Sequence, residues 1–180
     1  MNIQHKASNS SQVRVFFALW PTLVQRRQLQ KLAANYQRLC GGRVMRAETL
    51  HLTLLFLGTV ERRRLEQLKL VVDGVAFSPF TFTLQQFGCW RHNRIGYAAL
   101  HEEVEALSCL AQALRRAAGL SFDQRAFAPH VTLLRDMERM MEVQLFTQVV
   151  WPVTEFVLVE SATTERGIRY QPLWTWPMHG

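Results

Sequence analysis

The sequence predicts an α+β fold in which one strand–helix–strand unit is used twice, packed as two lobes of a single domain. Three observations carry this reading. The stretches His51-Leu52-Thr53-Leu54 and His130-Val131-Thr132-Leu133 share the pattern His-apolar-Thr-Leu and lie 79 residues apart. Arg14 to Trp20 is echoed by Arg94 to Leu100 at an offset of 80. The helical positions Leu29, Leu32, Ala33 and Tyr36 are echoed by Leu107, Leu110, Ala111 and Leu114 at an offset of 78. Two copies of one unit commonly pack about an approximate two-fold axis, and equivalent positions then meet near it.

Residues 1–12 are polar, lack the apolar run of a secretory signal, and read as a flexible arm before a domain spanning 13–180. Val13, Val15, Phe17 and Leu19 alternate with Arg14, Phe16, Ala18 and Trp20, the two-residue period of a strand. Pro21 opens a helix, where its missing N–H costs nothing. Leu29, Leu32, Ala33, Tyr36, Leu39 and Cys40 mark one helical face, and Gly41-Gly42 stops it. A strand over about Leu50 to Leu57 carries the first His-Thr pair, and Gly58 is expected to end it. Next come a helix over Glu61 to Val72, with Arg62, Arg63 and Arg64 on a solvated face, and a strand over Phe80 to Phe87.

The pattern then restarts with a strand over Arg94 to Leu100, a helix through Leu107 to Leu114 closed by Gly119, and the second motif strand. Met137 to Val149 reads as helical in part, with Val143 to Val150 open to a strand reading. Strands over Val153 to Ser161 and Ile168 to Trp176 close the chain. No Pro/Gly/Ser-rich linker divides the halves, so they belong to one domain.

Composition narrows the partners. Hydrophobic residues make up 48% and charged residues 19%, a globular profile. The net charge of +7 favours anionic partners, nucleic acid ahead of membrane surfaces, although such a charge can also serve solubility alone. Cys40, Cys89 and Cys109 form no CxxC pair and are odd in number, which argues against a disulfide framework or zinc knuckle and points to a reducing cytoplasm. No apolar run is long enough to span a bilayer.

The paired motifs suggest chemistry. On a strand, His and Thr two apart share a face while the leucines and Val131 anchor the other. Two facing imidazoles suit a reaction that takes one proton and gives another, as phosphodiester cleavage requires. Thr53 and Thr132 can donate hydrogen bonds to nonbridging phosphoryl oxygens, and Arg135 is the candidate cation. A metal is not expected, because no carboxylate or cysteine stands beside either motif to complete a ligand set. No nucleophile elbow or Cys-centred motif is present. A lone His-x-Thr-Leu is weak, since strand histidines are commonly structural; two at matching positions of a repeat are far more specific. His5, His92, His101 and His179 lack the Thr partner and are read as terminal, loop or strand-end residues. The five tryptophans are assigned to the core.

These residues resemble a known family. Paired His-x-Thr-x motifs are the signature of the 2H phosphoesterase superfamily. The Phe16-Phe17-Ala18 strand, His51-Leu52-Thr53-Leu54 with Phe56-Leu57-Gly58, Pro129 to Arg135, and Arg169-Tyr170-x-x-Leu173 are similar to the RNA 2′,3′-cyclic phosphodiesterases, also called 2′-5′ RNA ligases. The similarity runs from about Val13 to Trp176. It implies a bilobal fold of two antiparallel sheets with outer helices, related by a pseudo-two-fold, with a positively charged catalytic cleft between them. It implies hydrolysis of a terminal 2′,3′-cyclic phosphate to a 2′-phosphate without metal, ATP or other cofactor. Carried over, His51 is the general acid to O3′ and His130 activates water, while Thr53, Thr132 and Arg135 hold the phosphate. Reversal would join the cyclic end to a 5′-hydroxyl. The expected partner is RNA with a cyclic phosphate end, or a cyclic nucleotide, met by a monomer. Rival readings are a 2′-5′ oligonucleotide phosphodiesterase, a cyclic-nucleotide or ADP-ribose cyclic phosphate hydrolase, and a non-catalytic binder of RNA ends.

One expectation goes past the motifs. Phe17 and Tyr97 match at the 80-residue offset, and one of them, Phe17 favoured, is expected to stack on the terminal base; the alternative places both in the core.

Overall fold

The computed structural model describes residues 11–120, 127–165 and 167–179. Of the expected arm, residues 1–10 lie outside that range, and Gln12 already belongs to the first strand. Among the described residues the chain forms nine strands and three α-helices. In order these are β1 (Gln12–Leu19), α1 (Leu23–Cys40), β2 (Arg43–Val44), β3 (Leu52–Glu61), α2 (Leu65–Val72), β4 (Phe80–Trp90), β5 (Ile95–Ala99), α3 (Glu105–Ala117), β6 (His130–Arg135), β7 (Val143–Val153), β8 (Glu155–Thr164) and β9 (Gly167–Pro177). No helix among them is long and apolar enough to cross a membrane.

Helices α1 and α3 form where the periodicity put them. Thr22 caps α1 in a reciprocal box: its hydroxyl accepts from the Gln25 amide at 3.3 Å, and Gln25 Oε1 accepts from the Thr22 amide at 2.8 Å. Such a cap is worth about 1 kcal/mol. Leu29, Leu32, Ala33 and Tyr36 of α1, and Leu107, Leu110 and Leu114 of α3, are buried in the main core with Val15, Phe17 and Leu19 of β1. There Tyr36 stacks on Phe87 with ring centres 4.0 Å apart. Alternate residues of β1, Phe16 and Ala18, join Val157 and Val159 in a second cluster, flanked by Trp20 and Tyr170. The two-residue period of the strand thus separates the main-core face from the face that carries this second cluster.

The strands lie in the order β7-β4-β5-β6-β3-β1-β8-β9, with β2 also on β6, and every pairing is antiparallel. The expectation of two separate sheets is therefore corrected. Two four-stranded halves join through one backbone pair, Leu52 with Val131. Those residues are equivalent positions of the two motifs, 79 apart.

Both halves also bulge at the same place. In β3, Leu54 is extra between the pairs Phe17–Leu55 and Ala18–Thr53. In β6, Leu133 is extra between Gly96–Leu134 and Tyr97–Thr132. An extra residue inverts the alternation beyond it. Leu54 and Leu55 are consecutively buried, as are Leu133 and Leu134, and Phe56 and Arg135 then return to the face of the threonines.

Other expectations shift locally. Gly58 does not end β3: its φ of 76° sits where the β1 pairing slips, between Val15–Gly58 and Phe16–Phe56, and the strand runs on to Glu61. Helix α2 begins only at Leu65, because Arg62–Arg64 form a short 3-10 turn whose side chains are solvated, as expected. The segment after Met137 is not helical; Val143–Val153 pairs with β4 as a strand.

Candidate active site

The register set by Leu52 and Val131 builds the site. Continued by one residue each way, it puts His51 opposite Thr132 and Thr53 opposite His130, all four on one face. The charge of His130 reaches His51, where it contributes to the lowering of the pKa.

Both rings are held alike. His51 Nδ1 lies 2.8 Å from the Thr49 carbonyl, and His130 Nδ1 lies 2.7 Å from the Ala128 carbonyl. A carbonyl only accepts, so Nδ1 carries the hydrogen in each ring and donates it. Nε2 is left for chemistry. On His51 that nitrogen is 3.1 Å from Thr53 Oγ1, which donates to it when the ring is neutral.

Aromatic rings enclose each imidazole. Around His51 stand Phe16 at 4.8 Å, Tyr170 edge-on at 5.1 Å and Trp20 stacked at 5.9 Å, measured between ring centres. Around His130 stand Trp90 at 4.5 Å and Tyr97 at 5.6 Å. Burial penalises the charged form. It pushes His51 down to about 4, opposed by the Thr49 carbonyl and reinforced by the charge of His130. His130 is lowered by the same cause, opposed by the Ala128 carbonyl.

Arg135 follows the bulge onto the site face. It is half-buried, and its charge, with that of Arg14, counteracts the burial that raises the Tyr170 pKa. Arg135 is thereby placed near Tyr170, which itself touches His51. Its counterpart in the first half is Phe56, 79 residues earlier, 48% exposed and covered on one side by the Arg14 guanidinium at 4.8 Å. Among the described residues no group of three His, Cys, Asp or Glu side chains is arranged to hold a metal ion.

Comparison with known proteins matches this architecture. A sequence model described as "LigT like Phosphoesterase" matches residues 21–97. The RNA 2′,3′-cyclic phosphodiesterase of Escherichia coli strain K12 is 32% identical over 169 residues, covering 92% of this chain and 96% of that protein. The chain belongs to the LigT-like phosphoesterase family. The solved structure of Escherichia coli LigT superposes with a TM-score of 0.86 at 33% identity, covering 95% of this chain and all of that one. The same protein complexed with 3′-AMP gives 0.84 at 32% identity, covering 94% and 99%.

Within this LigT-like frame, His51, Thr53, His130 and Thr132 fall on one face, and the bulge at Leu133 brings Arg135 onto it. Phe17 does not. It is fully buried, 6.2 Å from Phe156 and 5.8 Å from Trp176, so it cannot stack on a base. The error is one residue of register: strand pairing matches Tyr97 to Ala18, at 79, whereas the sequence echo matched it to Phe17, at 80. Phe16 and Tyr97 face the site. Assigning all five tryptophans to the core was also wrong for Trp20 and Trp90, which flank the histidines. A signal was available for Trp20, which shares the parity of Phe16 and Ala18. Trp90 comes from β4, which no motif marked.

Proposed function

We propose that this chain hydrolyses the terminal 2′,3′-cyclic phosphate of RNA to a 2′-phosphate by paired-histidine acid–base catalysis, in two lobes related by a pseudo-two-fold through the Leu52–Val131 pair. The observation that carries it is that register, which supports two His-x-Thr pairs meeting at one phosphoryl group. The names of the relatives point the same way, since Escherichia coli and Thermotoga maritima RNA 2′,3′-cyclic phosphodiesterases are 32% and 28% identical.

In the reaction, His130 Nε2 takes a proton from water, whose oxygen bonds to phosphorus. The P–O3′ bond breaks, and His51 Nε2 gives its proton to O3′. The product carries a 2′-phosphate and a free 3′-hydroxyl. Thr53, Thr132 and Arg135 hold the nonbridging oxygens where charge builds. An anionic phosphate between the rings favours the imidazolium that burial alone disfavours, and so supplies His51 with its acidic proton. Phe56, exposed and backed by Arg14, supports a platform for the terminal base in place of Phe17. Both motifs come from one chain, so a monomer suffices. No metal enters the scheme, and activity should survive EDTA.

The decisive experiment uses an RNA with a defined 2′,3′-cyclic end, followed by mapping of the product phosphate. A 2′-phosphate supports the reading. Recovery of the intact cyclic end would favour a binder of RNA ends, and a 3′-phosphate would reverse the assigned leaving group.

A further inference from the structure

The two lobes differ in what lies beyond their histidines. Beside His130 opens a groove of about 1250 Å³, with Thr53, Trp90 and Tyr97 in its lining and Glu102, Glu103 and Glu142 further along; His51 does not line it. Beyond His51 lies instead the open face of β3, β1, β8 and β9, which strand pairing aligns in rows. Phe56, Phe16, Val159 and Pro172 form one row, and Thr59, Arg14, Ser161 and Tyr170 form the next. Two residues along a strand advance roughly 6.6 Å, about one nucleotide step. The Tyr170 ring reaches back from the second row to Phe16 at 5.2 Å and His51 at 5.1 Å.

This face is basic and rich in hydroxyls. Arg14 is exposed, and its guanidinium covers one side of the exposed Phe56 ring at 4.8 Å. Its charge and that of Arg135 both reach Tyr170. Thr59 and Thr163 are exposed, and Ser161 is half-buried. At the edge of β9, Arg46 donates to the Ile168 carbonyl, with Glu48 3.5 Å away. Among the described residues of these strands, Glu61 holds Arg63 at 2.7 Å. Glu160, which pairs with Val15 on the opposite face, holds Arg62 at 3.0 Å. Glu155 and Glu165 stand at the far end and at the turn of the β8–β9 hairpin. Residues 1–10, which precede β1 in the chain, include no Asp or Glu, and Arg166 follows Glu165.

The chemistry sets the direction of the strand. With His51 protonating O3′, the terminal ribose lies on the His51 side and the attacking water on the His130 side. The rest of the RNA hangs from the 5′ carbon of that ribose, so it leaves over the His51 lobe. We propose that the open face of β3, β1, β8 and β9 is a track for the single strand upstream of the cyclic end, with the terminal base on Phe56 and the next phosphate on Arg14. The proposal rests on the hydrolytic reading above, with His51 on the side of O3′. A base stacked on the free side of Phe56 carries its backbone past the rim of that ring, where the Arg14 guanidinium stands. One side chain then backs the stack and pairs with the phosphate. Thr59, Ser161 and Thr163 offer hydroxyls to the sugar and phosphate that follow. A duplexed end cannot use the track, because its last base is held in the stack by its partner strand. The substrate class is therefore a single-stranded end of at least two nucleotides.

The test compares 2′,3′-cyclic AMP, which has no upstream phosphate, with the dinucleotide ApA carrying a 2′,3′-cyclic end. A cyclic-ended hairpin RNA is measured blunt and with a two-nucleotide 3′ overhang. The dinucleotide is expected to show a KM about fivefold below that of the mononucleotide, and a plot of log kcat/KM against log salt steeper by about 0.7. The overhang should be preferred to the blunt end. Both Arg14→Gln and a T59E/S161E variant should narrow the mononucleotide-to-dinucleotide ratio, read within each variant. Arg38→Gln, the same charge change on the exposed side of α1, should leave it unchanged. Equal KM and salt dependence for the two nucleotides, no preference for the overhang, or a ratio that survives in both track variants or falls equally in Arg38→Gln overturns the proposal and leaves the hydrolytic reading intact. Absence of turnover of every substrate overturns both.

Discussion

The His51 half and the His130 half share a backbone plan and differ in what surrounds it. Each has a His held by a carbonyl two residues back, a Thr two residues on, and a bulge that turns the fifth residue after the His to the site. That fifth residue is Phe56 in one half and Arg135 in the other. His51 sits among Phe16, Trp20 and Tyr170, with its Nε2 engaged by Thr53. His130 opens onto the large groove. In the proposed reaction the repeat supplies two like proton carriers, and their unequal surroundings divide the work. The enclosed ring suits a proton delivered to a fixed leaving oxygen, and the open one suits a nucleophile arriving from solvent.

The largest effects should come from breaking either carrier. His51→Ala and His130→Ala are each expected to lower kcat/KM by about 10²–10⁴. A substrate with a better leaving group, such as an aryl phosphodiester, sharpens the contrast. It should recover much of the loss in His51→Ala and little in His130→Ala; equal recovery would undo the division of roles. Arg135→Ala should lower kcat by about 10²–10³, as removal of a donor to developing charge does. Phe56→Ala should instead raise KM, by the ~1–3 kcal/mol of a base stack, with kcat little changed.

The half-buried rings also tie stability to pH. His51 titrates near 4 in the folded chain and near 6.5 when unfolded, so the unfolded state binds more protons between those values. The stability conferred by the neutral ring is fully present above about 6.5 and falls as pH drops toward 4, on the order of 3 kcal/mol in all. Denaturant midpoints across that range should flatten in His51→Gln more than in His130→Gln, although His130 shifts in the same direction. A last effect, on stability alone, is expected at Gly42. Its φ is +88°, and a Cβ there would stand 2.6 Å from the Arg135 carbonyl. Gly42→Ala should cost about 1–3 kcal/mol by thermal unfolding and push β2 off the strand that carries Arg135.

Most of this plan was legible in the chain because function and fold share one signal. The His-Thr spacing states a strand, a buried side and the side of the proposed site together, and its recurrence states the pairing. The bulges were not legible. Leu54 and Leu133 look like ordinary strand residues, and nothing local shows that each is unpaired. That is why Phe56 was not recognised as the partner of Arg135. Phe17 failed by the same sensitivity: an apolar echo tolerates a slip of one residue, but a strand side chain does not. The carboxylates of the groove beside His130 were hidden because Glu102, Glu103 and Glu142 gather only through the packing of α3, β5 and the start of β7.

The most direct measurement is a histidine-ring NMR titration of the intact protein with 2′-AMP. Resonances of His51 and His130 should move together along one binding curve, and both rings should become easier to protonate once the anion is bound. Movement of one ring alone, or two curves with different affinities, would mean that the imidazoles do not meet at one phosphate.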